Sequence, residues 1–374
     1  MKNSVVVTLL LLSAVVCLAA AIRHRGADQE GRGLRSGPLV EALNLGNTST
    51  NASRADCVWR RGMDRDPCPD PDIKYFLYTS ADPQRRSTLS IVARDWLRLS
   101  GWDPNHDNVF IIHGYAGGDH QLPVAVLREA YLKNGSYNVF TVDWGTLARA
   151  PCYPAAVHNM RTVARCMAGV LTFLRDSGLP VHRTTCVGHS LGAHICGLLA
   201  GYLNFRLHRI IGLDPARPLV RNQNKLNGGD AGVVHVIHTN AGRYGEPGRL
   251  GHVDFCVNGG RMQPFCENKT HPELCSHARS VCYLAESINT ATSRLATPCS
   301  RRCPTGFSRR EGARHGDPIL MGEHTPTSAA GSFCLSNTDE PYCPKAPGQP
   351  GDPRCCSELL PAQAQLGTDG MPSL

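Results

Sequence analysis

The sequence predicts an α/β fold in which helices cover a mostly parallel central sheet. Three observations carry that reading. Short β-branched runs recur along the chain at Tyr75–Thr79, Val109–His113, Val139–Trp144, Thr184–Val187, Arg209–Leu213 and Val233–Thr239. Stretches of helical period lie near Ala156–Arg175, Leu191–Leu203 and Ser276–Asn289, and such alternation is the mark of βαβ units. Several of the runs end in an unusual polar residue, and in open α/β sheets the carboxyl ends of the strands are where chemistry sits.

The flanks of this region read differently. Residues 1–21 form a signal-peptide layout: Lys2, an uncharged apolar run from Val5 to Ile22, and the small residues Ala19, Ala20 and Ala21 at the expected cleavage site. Residues 22–56 are too polar to bury a core and read as a flexible leader. Residues 57–343 hold one large α/β domain, and residues 344–374 a Pro- and Gly-rich tail. No internal repeat is visible.

Cysteine usage points to the same compartment as the leader. Of the 17 cysteines, Cys17 lies in the signal segment and the remaining even number implies a disulfide framework. The spacing of Cys299 and Cys303 and the adjacent Cys355 and Cys356 lack the paired sets of a zinc site, so no metal is expected there. Sequons at Asn47, Asn51, Asn134 and Asn268 fit an exported glycoprotein. The net charge of +8 is spread out except at Arg301, Arg302, Arg309, Arg310 and Arg314, a patch suited to anionic surfaces or to plain solvation. Nucleic acid is not an expected partner, since no binding motif accompanies the charge.

The sharpest chemical signal is Val187-Gly188-His189-Ser190-Leu191-Gly192, a Gly-x-Ser-x-Gly placed between a buried-strand run and an alanine- and leucine-rich helix. Glycines are needed there because a nucleophile on a tight strand-to-helix turn leaves no room for neighbouring side chains. A serine hydroxyl also needs a base, and the base a carboxylate to orient it. Asp214 follows the run Arg209–Leu213 and comes after the serine in the expected order. The base is open on spacing alone, because His235, His238, His252, His271 and His277 all follow Asp214. An oxyanion hole wants two backbone N–H groups. Leu191, just after the serine at a helix start, supplies one, and Tyr115 in the segment His113-Gly114-Tyr115-Ala116-Gly117-Gly118 the other.

These residues resemble the animal lipases of the pancreatic lipase type, including lid-poor insect phospholipase A1 members. The likeness runs from Cys57 to about Tyr342 through His113-Gly114-Tyr115, Val142-Asp143-Trp144, Tyr153–Asn159, Gly188–His194, Leu213-Asp214-Pro215-Ala216, Ile237-His238-Thr239 and Cys275-Ser276-His277-Ala278-Arg279-Ser280. It implies an α/β-hydrolase fold and a triad of Ser190, Asp214 and His277, with the amides of Tyr115 and Leu191 as oxyanion hole. The substrate implied is a lipid ester at a membrane or lipid–water interface, and no cofactor is implied. Three departures shape the expectation. The C-terminal β-sandwich domain of pancreatic members has no counterpart here, so no protein cofactor is expected. The stretch Lys225–Asp230 has one carboxylate where calcium wants several oxygens, so no calcium is expected. The lid implied between Cys266 and Cys275 holds only Glu267–Leu274, too short and too polar to roof an apolar cleft. An open entrance suits a polar headgroup, which would lose solvation under an apolar roof. A phospholipase A1 is therefore expected, with triacylglycerol lipase as the alternative and a non-catalytic lipid-binding or storage protein as the remote one. The pairings expected are Cys266 with Cys275, and Cys57 or Cys68 with Cys152.

Overall fold

Among the described residues eleven strands form a single sheet. The computed structural model describes residues 57–61, 66–299, 303 and 316–339. The signal segment, the leader, the tail, the arginine patch and the sequons at Asn47 and Asn51 lie outside those residues. The strands are β1 (Lys74–Thr79), β2 (Asp82–Thr88), β3 (Asp107–Ile112), β4 (Tyr137–Asp143), β5 (Thr184–His189), β6 (Leu207–Leu213), β7 (Ala231–His238), β8 (Val253–Val257), β9 (Leu295–Pro298), β10 (Ile319–Leu320) and β11 (Gly331–Leu335). Their order is β10-β9-β11-β8-β7-β6-β5-β3-β4-β1-β2. From β11 through to β4 every pairing is parallel, and the antiparallel pairs are confined to the two edges.

The parallel strands are buried on both faces, which is why they read as continuous apolar runs. Four longer helices supply the cover: α1 (Leu122–Asn134), α2 (Tyr153–Asp176), α3 (Leu191–Ala200) and α4 (Pro272–Ser287). Helices α1 and α4 pack on each other, as do α2 and α3. The α1/α4 layer shares one core with alternate sheet residues: Val109 and Ile111 of β3, Val187 of β5, Ile211 and Leu213 of β6, Ile237 of β7, and Val253 and Phe255 of β8. Residues between them in sequence, such as Cys186, point to the other face. There a disulfide ties Cys186 on β5 to Cys196 on α3.

Further bridges join Cys57 to Cys152, Cys68 to Cys166, Cys256 to Cys303, Cys266 to Cys275 and Cys299 to Cys334. Cys299 and Cys303 are thus consumed in disulfides. The first two bridges close loops of 95 and 98 residues onto α2, which on the chain-entropy account stabilises by about 4–5 kcal/mol each.

Parallel register brings the ends of sequence-distant strands together. Ile112 lies opposite Gly188, Gly188 opposite Gly212, and Leu213 opposite Ile237. The residues just past the carboxyl ends of β3, β5, β6 and β7 therefore form one row above the sheet: His113, Ser190, Asp214 and Thr239.

Candidate active site

Ser190 stands at the turn between β5 and α3 with φ of 59°, a backbone conformation that side-chain-bearing residues rarely adopt. The turn holds because its neighbours lack side chains. A Cβ on Gly188 would lie 2.3 Å from the backbone of Gly192, and one on Gly192 would lie 2.2 Å from the carbonyl oxygen of Ile112. Backbone bonds fix the turn to β6, from the Ser190 N–H to Leu213 O at 2.9 Å and from the Ala216 N–H to Ser190 O at 3.2 Å. Gly188→Ala is expected to cost about 1–3 kcal/mol, since neither backbone segment can yield cheaply. A thermal melt reads it as a fall in Tm of about 2–4 °C per kcal/mol.

Asp214 is fully buried and carries φ of 41°. Its Oδ1 accepts the N–H groups of Thr239 at 2.9 Å and Asn240 at 3.0 Å, and its Oδ2 meets Nδ1 of His277 at 2.6 Å. A carboxylate only accepts, so Nδ1 of His277 carries the proton and Nε2 is left as a free acceptor. Gly245 closes the far side of the carboxylate, where a Cβ would come within 2.4 Å of Oδ1. Among the described residues no hydrogen bond joins the Ser190 hydroxyl to His277, and such contacts commonly tighten only with substrate bound. The residue before the serine does meet His277: the His189 ring lies 4.7 Å from that of His277, and its Nε2 is 3.3 Å from the His277 carbonyl oxygen. Burial, and then the neighbouring His277, hold His189 far below the usual histidine range, so this ring is neutral.

The structure separates the histidines that spacing left open. His238 has both ring nitrogens engaged, one 3.0 Å from Asp254 Oδ1 and the other 3.0 Å from the carbonyl oxygen of Glu246. His252 accepts the N–H of Val234, and His235 is buried with no hydrogen-bond partner among the described residues, its pKa pushed down to about 3 by burial. Among the described histidines only His277 lies within hydrogen-bond distance of Asp214. It sits within the second turn of α4, because Pro272 opens that helix ahead of Ser276.

Leu191 follows the serine in the first turn of α3, and the segment after β3 approaches it at Gly114, where a Cβ would lie 2.7 Å from Ser190 Cβ. Among the described residues neither the Tyr115 nor the Leu191 N–H donates to another backbone group. The Tyr115 loop is clamped by the segment after β4. Trp144 donates its backbone N–H to Nε2 of His113 at 3.0 Å and its indole N–H to His113 O at 2.9 Å, with the two rings stacked. The Ala116 N–H bonds Ala148 O at 2.8 Å. Burial alone would raise the Asp143 carboxyl, but His113 and the Gly145 N–H more than offset it and hold it at about 2. Asp143 and Trp144 were visible in the sequence without a role, since a clamp of backbone bonds leaves no spacing signature.

His194, four residues after the serine, ties α3 to the loop after Asp214. It accepts the N–H of Leu226 at 3.0 Å and donates to Ala216 O at 2.7 Å. Burial lowers its pKa to about 4, keeping it neutral. Asp230, in the stretch considered for calcium, spends its carboxylate on the backbone and side chain of Asn227. Between Cys266 and Cys275 the chain runs in turns and bends until Pro272 starts α4, and Glu273 there accepts from Asn240 at 2.6 Å. Asn134 and Asn268 are both exposed.

A family model described as Lipase matches residues 41–309. Phospholipase A1 VesT1.02 of Vespa tropica is 31% identical over 297 residues, covering 74% of this chain and 96% of its own length. Lipase member H of Danio rerio is 32% identical over 235 residues, covering 61% of this chain and 51% of its own. Pancreatic lipase-related protein 2 of Sus scrofa is 31% identical over 262 residues, covering 62% and 54%. The chain thus spans about half the length of the last two relatives and nearly all of the first. With the family model covering most of the described domain, and the sheet and turn built as above, the chain belongs to the lipase family.

Proposed function

We propose that the protein is a serine esterase that hydrolyses carboxylic esters of lipids through an acyl-enzyme, with phospholipase A1 activity as its main reaction. The observation that carries this reading is the bond of 2.6 Å from His277 Nδ1 to a buried Asp214 carboxylate already held by two backbone N–H groups, in a chain that also holds Ser190 on a strained strand-to-helix turn. In the proposed reaction Nε2 of His277 takes the Ser190 proton as Oγ attacks the ester carbonyl carbon. The Tyr115 and Leu191 N–H groups hold the oxygen as it gains charge. The tetrahedral adduct collapses, the leaving alkoxide takes the proton from His277, and Ser190 keeps the acyl group. Water then repeats the sequence and releases the acid.

The preference for phospholipid rests on the entrance. The disulfide-bounded segment between Cys266 and Cys275 is short and polar, and it leaves a charged headgroup solvated while the acyl ester reaches the serine. The disulfides fit an exported protein, and we extend that to a cleaved signal peptide at residues 1–21 and glycans at Asn47, Asn51, Asn134 and Asn268. The test of substrate is product analysis on a phospholipid with different acyl chains at its two positions, run beside a triacylglycerol emulsion. Release of the chain from the first position, with slower turnover of the emulsion, is the expected result. Faster turnover of triacylglycerol would replace phospholipase A1 by triacylglycerol lipase, and no turnover of either would leave a lipid-binding protein on this fold.

A further inference from the structure

The Gly114 carbonyl and the Tyr115 N–H belong to one planar peptide unit, and in a trans peptide the two point in opposite directions. Whatever fixes the carbonyl therefore aims the N–H. Gly114 does not fix it by itself. A Cβ there would lie 2.7 Å from Ser190 Cβ and 3.1 Å from Ser190 Oγ, so the position requires glycine, and glycine leaves its flanking peptides free to turn.

Two donors hold the carbonyl instead. His113 Nδ1 lies 2.7 Å from Gly114 O, and the Gly117 nitrogen lies 3.3 Å from it. The proton on Nδ1 follows from the other ring nitrogen. Nε2 lies 3.0 Å from the Trp144 backbone nitrogen, which only donates, so Nε2 is the acceptor and Nδ1 bears the hydrogen. Asp143 Oδ1 is further from Nε2, at 3.5 Å, and accepts the Gly145 N–H at 2.9 Å. The ring has no room to turn: it is buried and stacked on Trp144, and a Cβ on Gly117 would lie 2.7 Å from Nδ1.

We propose that His113 is a positioning residue for the oxyanion hole. By donating from Nδ1 to the Gly114 carbonyl, it presents the Tyr115 N–H to the oxygen that gains charge during acyl transfer. The proposal rests on the serine-esterase reading of the site and adds to it a side chain that acts only through its neighbour's backbone. The aim of the N–H counts most in the transition state, because a donor stabilises an oxyanion more than a neutral carbonyl oxygen. Losing it should therefore lower kcat and leave KM near its parent value.

Two amide variants separate this role from a merely structural one. In His113→Asn the amide NH2 sits where Nδ1 does, so the bond to Gly114 O survives while Trp144 loses its acceptor. In His113→Gln the amide oxygen reaches the place of Nε2, so Trp144 keeps its acceptor while Gly114 O loses the ring donor. On a short soluble ester, His113→Gln is expected to lower kcat by about 10- to 100-fold, less than the roughly 10²- to 10³-fold cost of deleting an oxyanion donor outright. His113→Asn should stay within about five-fold of the parent, since the donor is kept. Affinity for a trifluoromethyl ketone, whose adduct with the serine carries an oxyanion, should fall in His113→Gln in step with kcat/KM. Thermal melts check the fold of each variant, and nitrogen NMR of the histidine-labelled parent reads the tautomer without any substitution, with the proton of His113 expected on Nδ1. Turnover by the parent, decided by the product analysis above, separates failure of the esterase reading from failure of this one. Equal losses in the two variants, a larger loss in His113→Asn, a ketone affinity indifferent to His113→Gln, or a His113 proton on Nε2 would each overturn the proposal.

Discussion

Replacing Ser190 by alanine is expected to lower phospholipid turnover by roughly 10⁴- to 10⁶-fold, the range seen when a hydrolase loses its nucleophile. Residual rate would come from the amides of Tyr115 and Leu191 and from substrate binding, neither of which the substitution touches. The fold should survive, because the bonds that fix the turn run from the Ser190 backbone, to Leu213 O and from Ala216 N–H. Initial rates on phospholipid vesicles, paired with a thermal melt, separate the two effects. A turnover equal to that of the parent would remove Ser190 from the mechanism.

The second large effect is expected at Asp214. Its Oδ1 accepts two backbone N–H groups and its Oδ2 accepts His277. In Asp214→Asn the amide oxygen must take the place of Oδ1, because an NH2 group cannot accept from Thr239 and Asn240. The NH2 then faces Nδ1 of His277 and donates to it, which moves the imidazole proton to Nε2. A protonated Nε2 has no lone pair to receive the serine proton, so turnover should fall by about 10⁴-fold with little change in substrate binding. The check is kcat and KM on a short soluble ester. A fall below ten-fold would mean that His277 is not held as its bond to Asp214 implies.

The turn around Ser190 was legible in the sequence because its chemistry is written in backbone requirements: two glycines, a buried strand before and an apolar helix after. Asp214 was legible for a related reason, as the first residue past β6. The histidine was not, since five followed Asp214 and burial decides among them. His238 ends β7 in the same row of strand ends, yet Asp254 and the Glu246 carbonyl occupy its ring, and neither partner is predictable from spacing. The resemblance to a known family selected His277, and His277 is the residue whose ring nitrogen lies 2.6 Å from Asp214 Oδ2.

Other elements carry too little signal. Strand β2, Asp82–Thr88, is polar and almost wholly exposed, so no apolar alternation marks it, as befits an edge strand. Strand β8 has Asp254 as its second residue, buried among the N–H groups of Leu250 and Gly251 and the ring of His238, which breaks the apolar run. Disulfide connectivity was legible only in part. Cys266 to Cys275 was expected from the family pattern, and Cys57 rather than Cys68 takes Cys152. The bridge from Cys186 to Cys196 follows from the packing of α3 on the sheet, which spacing does not encode.

The most direct measurement of the central claim is labelling of the protein with a fluorophosphonate, followed by mass spectrometry of the modified peptide. One adduct is expected, on Ser190, formed rapidly in the parent and at least about a thousand-fold more slowly in His277→Gln, on the order expected for losing the base. An adduct elsewhere, or a labelling rate indifferent to His277, would contradict it.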